Sequence, residues 1–280
     1  MQEITKVLGP TVTTGIAEID LGGAGARLES PVNGSILAIK IEMATNGVVV
    51  TTQSATAIIR LKSNTIPVVP FEAFAQPLNA GTGAEITTSK AESKWIPVNA
   101  PVVEGDKLQI TIAEGVAVTN HVVVSVSVMF ADYQTGPQYH SQIGTLTAVG
   151  AAAGEARMAG GIVIDGGAWI KKVIGMMYTV TDASGLGAQA KYRLSSTQFK
   201  HLKSPGLPDL PGMGDIEFNA TFLPSFLSAG TTADSVANRL AEVDYPHGVP
   251  INPHCPIDVY CNAFAAFTAA GSYNVQIVYY

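Results

Sequence analysis

The chain has 280 residues, of which 47% are hydrophobic and 14% charged, with 28 glycines, 16 prolines and a formal net charge of -6 at pH 7. That length fits one large domain or two of about 140 residues, and a charge-poor mix rich in Val, Ile, Thr and Gly favours short strands and tight turns. The first twenty residues hold one lysine and no arginine, which excludes a basic arm for gripping nucleic acid there.

The N-terminus lacks the charged and then apolar pattern of a secretory signal. No stretch nears the roughly 18 apolar residues of a membrane-spanning helix. A soluble chain made in the host cytoplasm is the expectation.

In chain order, the first half reads as the strands SILAIKIEM, GVVVTTQ, TAIIRLK, IPVVPFEAF, KWIPV, KLQITI and HVVVSVSVMFA, separated by Asn-Gly, Pro and Glu-Gly turns. The stretch TGAEITTSKAESKW between them is ambiguous. Residues 132–142, DYQTGPQYHSQ, are turn-forming and polar and mark the join between halves. The second half reads as AWIKKVIGMMYTV, AQAKYRLSS, IEFNATFLPSF, PIDVYC and SYNVQIVYY. Residues 201–215, HLKSPGLPDLPGMGD, form an irregular surface loop. One short helix is predicted at TTADSVANRLAEV, with Asp234 as N-cap and Val236, Leu240 and Val243 on one face.

The two halves share anchors in the same order. GARL, ending at Leu28, resembles EARM, ending at Met158, and Asn33-Gly34 resembles Asp165-Gly166. Arg60 and Leu61 match Arg193 and Leu194. The phrase IPVNAP resembles VPINPH, pairing Pro97 with Pro250 and Asn99 with Asn252. Last, Val126, Val128 and Phe130 match Val275, Ile277 and Tyr279. Collinearity argues for an internal duplication, with an insertion in the second copy near residues 201–215. The expectation is an all-β protein of two tandem jelly rolls, each an eight-stranded β-sandwich, covering 1–136 and 137–280.

Chemistry is sparse. The histidines His121, His140, His201, His247 and His254 are scattered, and only His247 and His254 are close, seven apart in a Pro-rich turn. A metal centre needs ligands presented together, so no metal, cofactor or catalytic residue is expected. No G-x-S-x-G elbow, phosphate-binding loop or C-x-x-C pair occurs. Lys171 and Lys172, with Lys200, His201 and Lys203, form a solvated basic face. Asn33 and Asn219 begin glycosylation sequons. Cys255 and Cys261 lie about 20 Å apart if extended, so a bridge would need a bend and free thiols are expected.

On these residues the chain resembles the double jelly-roll major capsid proteins of icosahedral viruses of the PRD1 and adenovirus type. The resemblance spans nearly the whole chain and rests on tandem β halves, matched closing strands and a mid-domain excursion in each. It implies a structural protein of the virion and not an enzyme. It implies homotrimers that act as pseudo-hexameric capsomers. Their partners are neighbouring capsomers and minor capsid proteins, often over an internal membrane, with no direct sequence-specific nucleic-acid binding. The other readings the residues leave open are a bicupin-like metal- or sugar-binding protein and a cell-surface or fibre subunit of tandem sandwiches.

Overall fold

The computed structural model describes residues 1–45, 57–63, 71–74, 90–114, 121–149, 154–157, 161–164, 167–178, 188–196, 216–224, 235–236, 241–251, 253–254, 256–263 and 271–280. These residues form twenty strands, and none of them is helical. The chain divides into two compact units, Met1–Gln142 and Ile143–Tyr280.

The first unit holds β1 (Glu3–Val12), β2 (Ile19–Asp20), β3 (Leu28–Glu29), β4 (Gly34–Thr45), β5 (Ala57–Lys62), β6 (Phe71–Phe74), β7 (Lys90–Glu92), β8 (Ile96–Val102), β9 (Lys107–Glu114) and β10 (Val122–Ala131). One sheet runs β1-β10-β4 with β7 and β8 both on the far side of β4, and the other runs β2-β9-β5-β6 with β3 also on β9. Successive stretches of β9 pair with β2 and β3, and successive stretches of β4 with β7 and β8. Counting each broken strand once gives eight antiparallel strands in two sheets of four, a jelly roll.

Alternation in the sequence explains the packing. In β10, Val122, Val124, Val126 and Val128 are fully buried while Val123, Ser125, Ser127 and Met129 lie partly exposed on the other face, the period of two that a half-buried strand requires. Those valines join Ile36, Ile39 and Ile41 of β4 and Ile59, Leu61, Ile110 and Ile112 of the second sheet in one core.

The second unit holds β11 (His140–Val149) apart from its first three residues, β12 (Gly154–Arg157), β13 (Ile162–Val163), β14 (Ala168–Tyr178), β15 (Ala188–Ser195), β16 (Ile216–Pro224), β17 (Ser235–Val236), β18 (Ala241–Ile251), β19 (Pro256–Ala263) and β20 (Gly271–Tyr279). Its sheets run β11-β20-β14-β18 and β12-β19-β15-β16-β17, with β13 also on β19. The order is that of the first unit, except that β17 pairs with β16 whereas β7 pairs with β4.

The registers repeat as well. Ile39 opposes Val128 as Val173 opposes Ile277, Arg60 opposes Thr111 as Arg193 opposes Tyr260, and Leu28 opposes Leu108 as Ile162 opposes Ile257. Both ladders to the closing strand break at the same place, skipping Leu37 in β4 and Lys171 in β14. The turn hydrogen bond from Gly105 N to Ser30 O, 2.9 Å, recurs from His254 N to Ile164 O, 3.1 Å. Gly105 and His254 both have positive φ, 87° and 58°.

Several expectations are corrected. The stretch read as a helix is strand wherever it is described. Val243 and Glu242 pair with Val173 and Ile174, and Val236 with Leu223, so ladder hydrogen bonds override a weak local helix preference; Asp234 and Leu240 lie outside the described residues. The ambiguous stretch before Trp95 contains the strand β7. The strand β1 was not anticipated, because Gly9-Pro10 interrupts its pattern. Arg157 lies on β12 opposite Tyr260, whereas Arg27 lies in the connection from β2 to β3, so GARL and EARM are not equivalent and share only composition. Pro97 and Pro250 do sit on equivalent strands, β8 and β18, but Pro250 opposes Trp169 as Pro101 opposes Ser35, while Pro97 opposes Ala38 as Asp244 opposes Lys172. The true partner of Pro250 is therefore Pro101, and two extra residues in β18 offset the resemblance of IPVNAP to VPINPH from the strand register.

Candidate functional site

The outer face of the sheet containing β5 and β9 carries a charge network. Arg60 donates through Nε to Glu72 at 2.7 Å and lies 3.5 Å from Glu18, and Lys62 Nζ reaches Glu18 at 2.5 Å. The Thr111 hydroxyl also donates to Glu18. Burial pushes the Glu18 carboxyl up, but hydrogen bonds from Lys62 and Thr111 and the charges of Lys62 and Arg60 outweigh it and hold it below its ordinary 4.5. Asp20 is lowered by donation from Gln109 and Gly25, with Arg27 adding to the effect. In the second unit Arg193, equivalent to Arg60, lies over the Tyr260 ring at 3.8 Å, a cation–π contact. Arg193 opposes Glu217 as Arg60 opposes Glu72. Arg157 pairs with Asp258 at 2.6 Å. These contacts join neighbouring strands.

A second cluster was not legible in the sequence. The Glu114 carboxylate at the end of β9 is fully buried, accepts from Thr13 Oγ1 at 2.5 Å and lies 2.8 Å from His121 Nδ1. A charged residue closing the apolar run ITIA was the only available signal. In a hydroxyl–imidazole–carboxylate triad the imidazole lies between the other two and takes the hydroxyl proton. Here the carboxylate lies between, so the geometry ties the segment after β1 to β9 and β10 and activates no nucleophile.

The residues singled out in the sequence are dispersed. His140 opens β11, where burial lowers its pKa; His247 is exposed on β18 and His254 is exposed in the next turn. His201, Lys200 and Lys203 lie outside the described residues. Among the described residues no group of three or more His, Cys, Asp or Glu could hold a metal ion. Lys171 donates to the carbonyls of Tyr245 and Pro246 at 3.5 and 3.1 Å. Lys172 pairs with Glu242 and Asp244 at 3.1 and 3.4 Å. Burial draws Lys172 down, but the bond to Glu242 and the two acidic charges hold it above its ordinary value. The expected basic face is thus matched by acceptors where it is described. Asn33 is exposed, and its Oδ1 accepts from Glu104 N at 3.0 Å; Asn219 lies on β16 and Cys261 on β19, while Cys255 lies outside the described residues.

The units differ most at one end. In the first, residues 132–139 leave β10 and cross β4 and β8: Ser35 Oγ donates to Tyr133 O at 2.5 Å, Gln134 Nε2 to Asn99 O at 3.2 Å, Thr135 Oγ1 to Asn99 Oδ1 at 3.0 Å and Tyr139 N to Val98 O at 2.9 Å. Ser35 and Asn99 are buried beneath that segment. Ser35 corresponds to Trp169, which is 47% exposed, and Asn99, φ 49°, corresponds to Gly248, φ 71°. A Cβ at Gly248 would sit 3.1 Å from Trp169 Cβ and 3.2 Å from its Cε3 and from Tyr280 Oη. The indole therefore rests on the bare backbone of Gly248.

No protein-family model and no curated protein matches the sequence. Among solved structures the chain is similar to the STIV MCP, at 8% identity and TM-score 0.46, covering 100% of this chain and 97% of that one. It is also similar to Broad Bean Stain Virus, at 10% identity and TM-score 0.36, covering 99% and 87%. A third likeness is to PNGF-II, at 7% identity and TM-score 0.41, covering 99% and 65%.

Proposed function

We propose that the protein is the major capsid protein of an icosahedral virus, three copies of which form a pseudo-hexameric capsomer. The observation that carries this reading is the residue-level repeat of two jelly rolls, down to the shared break at Leu37 and Lys171. Two near-equivalent sandwiches in one chain give three copies six similar building blocks. A closed trimer uses head-to-tail contacts between unlike surfaces, and the duplication makes those surfaces alike enough for contacts within and between subunits to share one geometry. A mean hydropathy of +0.26 with 14% charged residues suits a chain that buries much of its outer surface against copies of itself.

In that role it is a structural component of the virion, not an enzyme. Its partners are neighbouring capsomers and minor capsid proteins. Light scattering on the purified chain tests the trimer, which would weigh about 87 kDa, three times the 29.1 kDa chain. Negative-stain microscopy should then find hexagonal tiles or closed shells. A monomer that persists at micromolar concentration would sink the reading. Stoichiometric metal in elemental analysis would favour the bicupin-like alternative, and filaments a fibre subunit.

A further inference from the structure

Resting on the trimer reading, we propose that the outer face of the sheet β1-β10-β4 in the first unit is the surface on which a second copy of this chain docks. Equivalent strands of the two units differ in burial on that side. Val128 of β10 and Ile277 of β20 hold equivalent places in their sheets, so Ser127 answers to Gln276 and Met129 to Val278. Ser127 and Met129 point away from the core and are partly exposed, whereas Gln276 and Val278 are only 1% and 5% exposed. The chain itself thus covers in the second unit a face that it leaves exposed in the first. In a closed ring of near-equivalent units, a face buried in one kind of unit is met in the other kind by a neighbouring copy.

The chemistry of the face fits such a contact. Thr5 and Val7 of β1 oppose Met129 and Ser127, and Val12 opposes Val123. None of them is ionisable, and Val7 and Val12 are 60% and 39% exposed. On β4 the face continues through Ala38 and Ala44, which flank Lys40 and Glu42, an ion pair at 3.6 Å. Short uncharged side chains make the face flat and keep the cost of drying it low. Its size is adequate as well. The ten residues of β10 run about 33 Å, and four strands, counting β7 and β8 beyond β4 as one, span about 19 Å. That gives on the order of 600 Å², near the roughly 800 Å² per partner of a stable complex. Addition of a strand at the edge of β1 is disfavoured, because Pro10 lacks an N–H and the ladder is irregular between Leu8 and Thr11. The second copy therefore meets the face and not the edge.

The test compares Val7→Arg with Val103→Arg in the full chain. Both valines are exposed, by 60% and 54%, but Val103 lies in the turn after β8 and off the face, so the two substitutions burden the fold alike. Light scattering over a dilution series should find trimers for the parent and for Val103→Arg. Val7→Arg should keep the parent's urea midpoint and form a trimer at least a hundredfold weaker. Thr5→Arg, on the same face, should repeat that loss and guards against a folding defect at position 7. Peroxide should oxidise Met129 at least tenfold more slowly in the parent trimer than in monomeric Val7→Arg. Trimers of full strength from both face variants, or equally fast oxidation of Met129, would overturn the contact face and leave the trimer standing. A parent that stays monomeric would overturn the trimer reading and the contact face with it.

Discussion

Gly248 and Gly105 separate two costs that a glycine can hide. Both have positive φ, 71° and 87°, but a Cβ at Gly105 would meet nothing within 4 Å while one at Gly248 would press on Trp169. The left-handed backbone costs an L-residue about 1–2 kcal/mol at either site. Gly248→Ala should therefore destabilise by more than Gly105→Ala, and urea unfolding of the two variants measures the difference; equal losses would remove the indole contact from the account. Glu18 offers a pH test. Its folded carboxyl lies below 4.5, so the stability it adds is complete above that value and fades as pH falls through the lowered one. Glu18→Gln should be less stable than the parent at pH 7, and the two urea midpoints should converge in acid. Of these residues the sequence marked only Gly105, as part of a Glu-Gly turn. A glycine is legible as a turn former, but which glycine lies under a tryptophan depends on strands that only the fold brings together.

At the level of elements, the longer apolar strands were readable: β4, β5, β6, β8, β9, β10, β14, β15, β16, β19 and β20 each overlap a strand found by pattern. Those that failed lack a usable period. In β1 the Gly9-Pro10 step breaks it, β2, β3, β7, β12, β13 and β17 are too short to carry one, β11 starts inside the polar stretch read as the join between halves, and β18 mixes Asp, Tyr, Pro and His through its centre. What makes β18 a strand is its ladder with β14 and the Lys171 ammonium that satisfies carbonyls where the ladder breaks. Lys171→Leu, which installs the residue of the first unit, should cost roughly 1–2 kcal/mol, since a hydrogen bond from a charged group is lost at a part-buried site. A thermal midpoint unchanged from the parent would show that the extra residues of β18 hold without it.

At the scale of the whole molecule, each unit has its own pair of sheets, and the core from Leu21 to Phe130 is drawn from the first unit alone. A fragment of residues 1–142 should therefore unfold in one cooperative urea transition and give a dispersed amide spectrum; a broad, gradual transition would mean that its strands need the second unit. The sequence by itself determined the all-β class, the doubling of the chain and the faces of its longest strands, because alternation and turn residues are local and survive duplication. Only the tertiary structure decided the register of the repeat. Pro250 answers to Pro101 and not to Pro97, because pairing is set by hydrogen bonds to β4 and β14, and two inserted residues shift a sequence match without moving the strand. The structure alone also set the Thr13–Glu114–His121 cluster and the Trp169–Gly248 contact, since each joins residues that are distant along the chain and meet only when the sheets form.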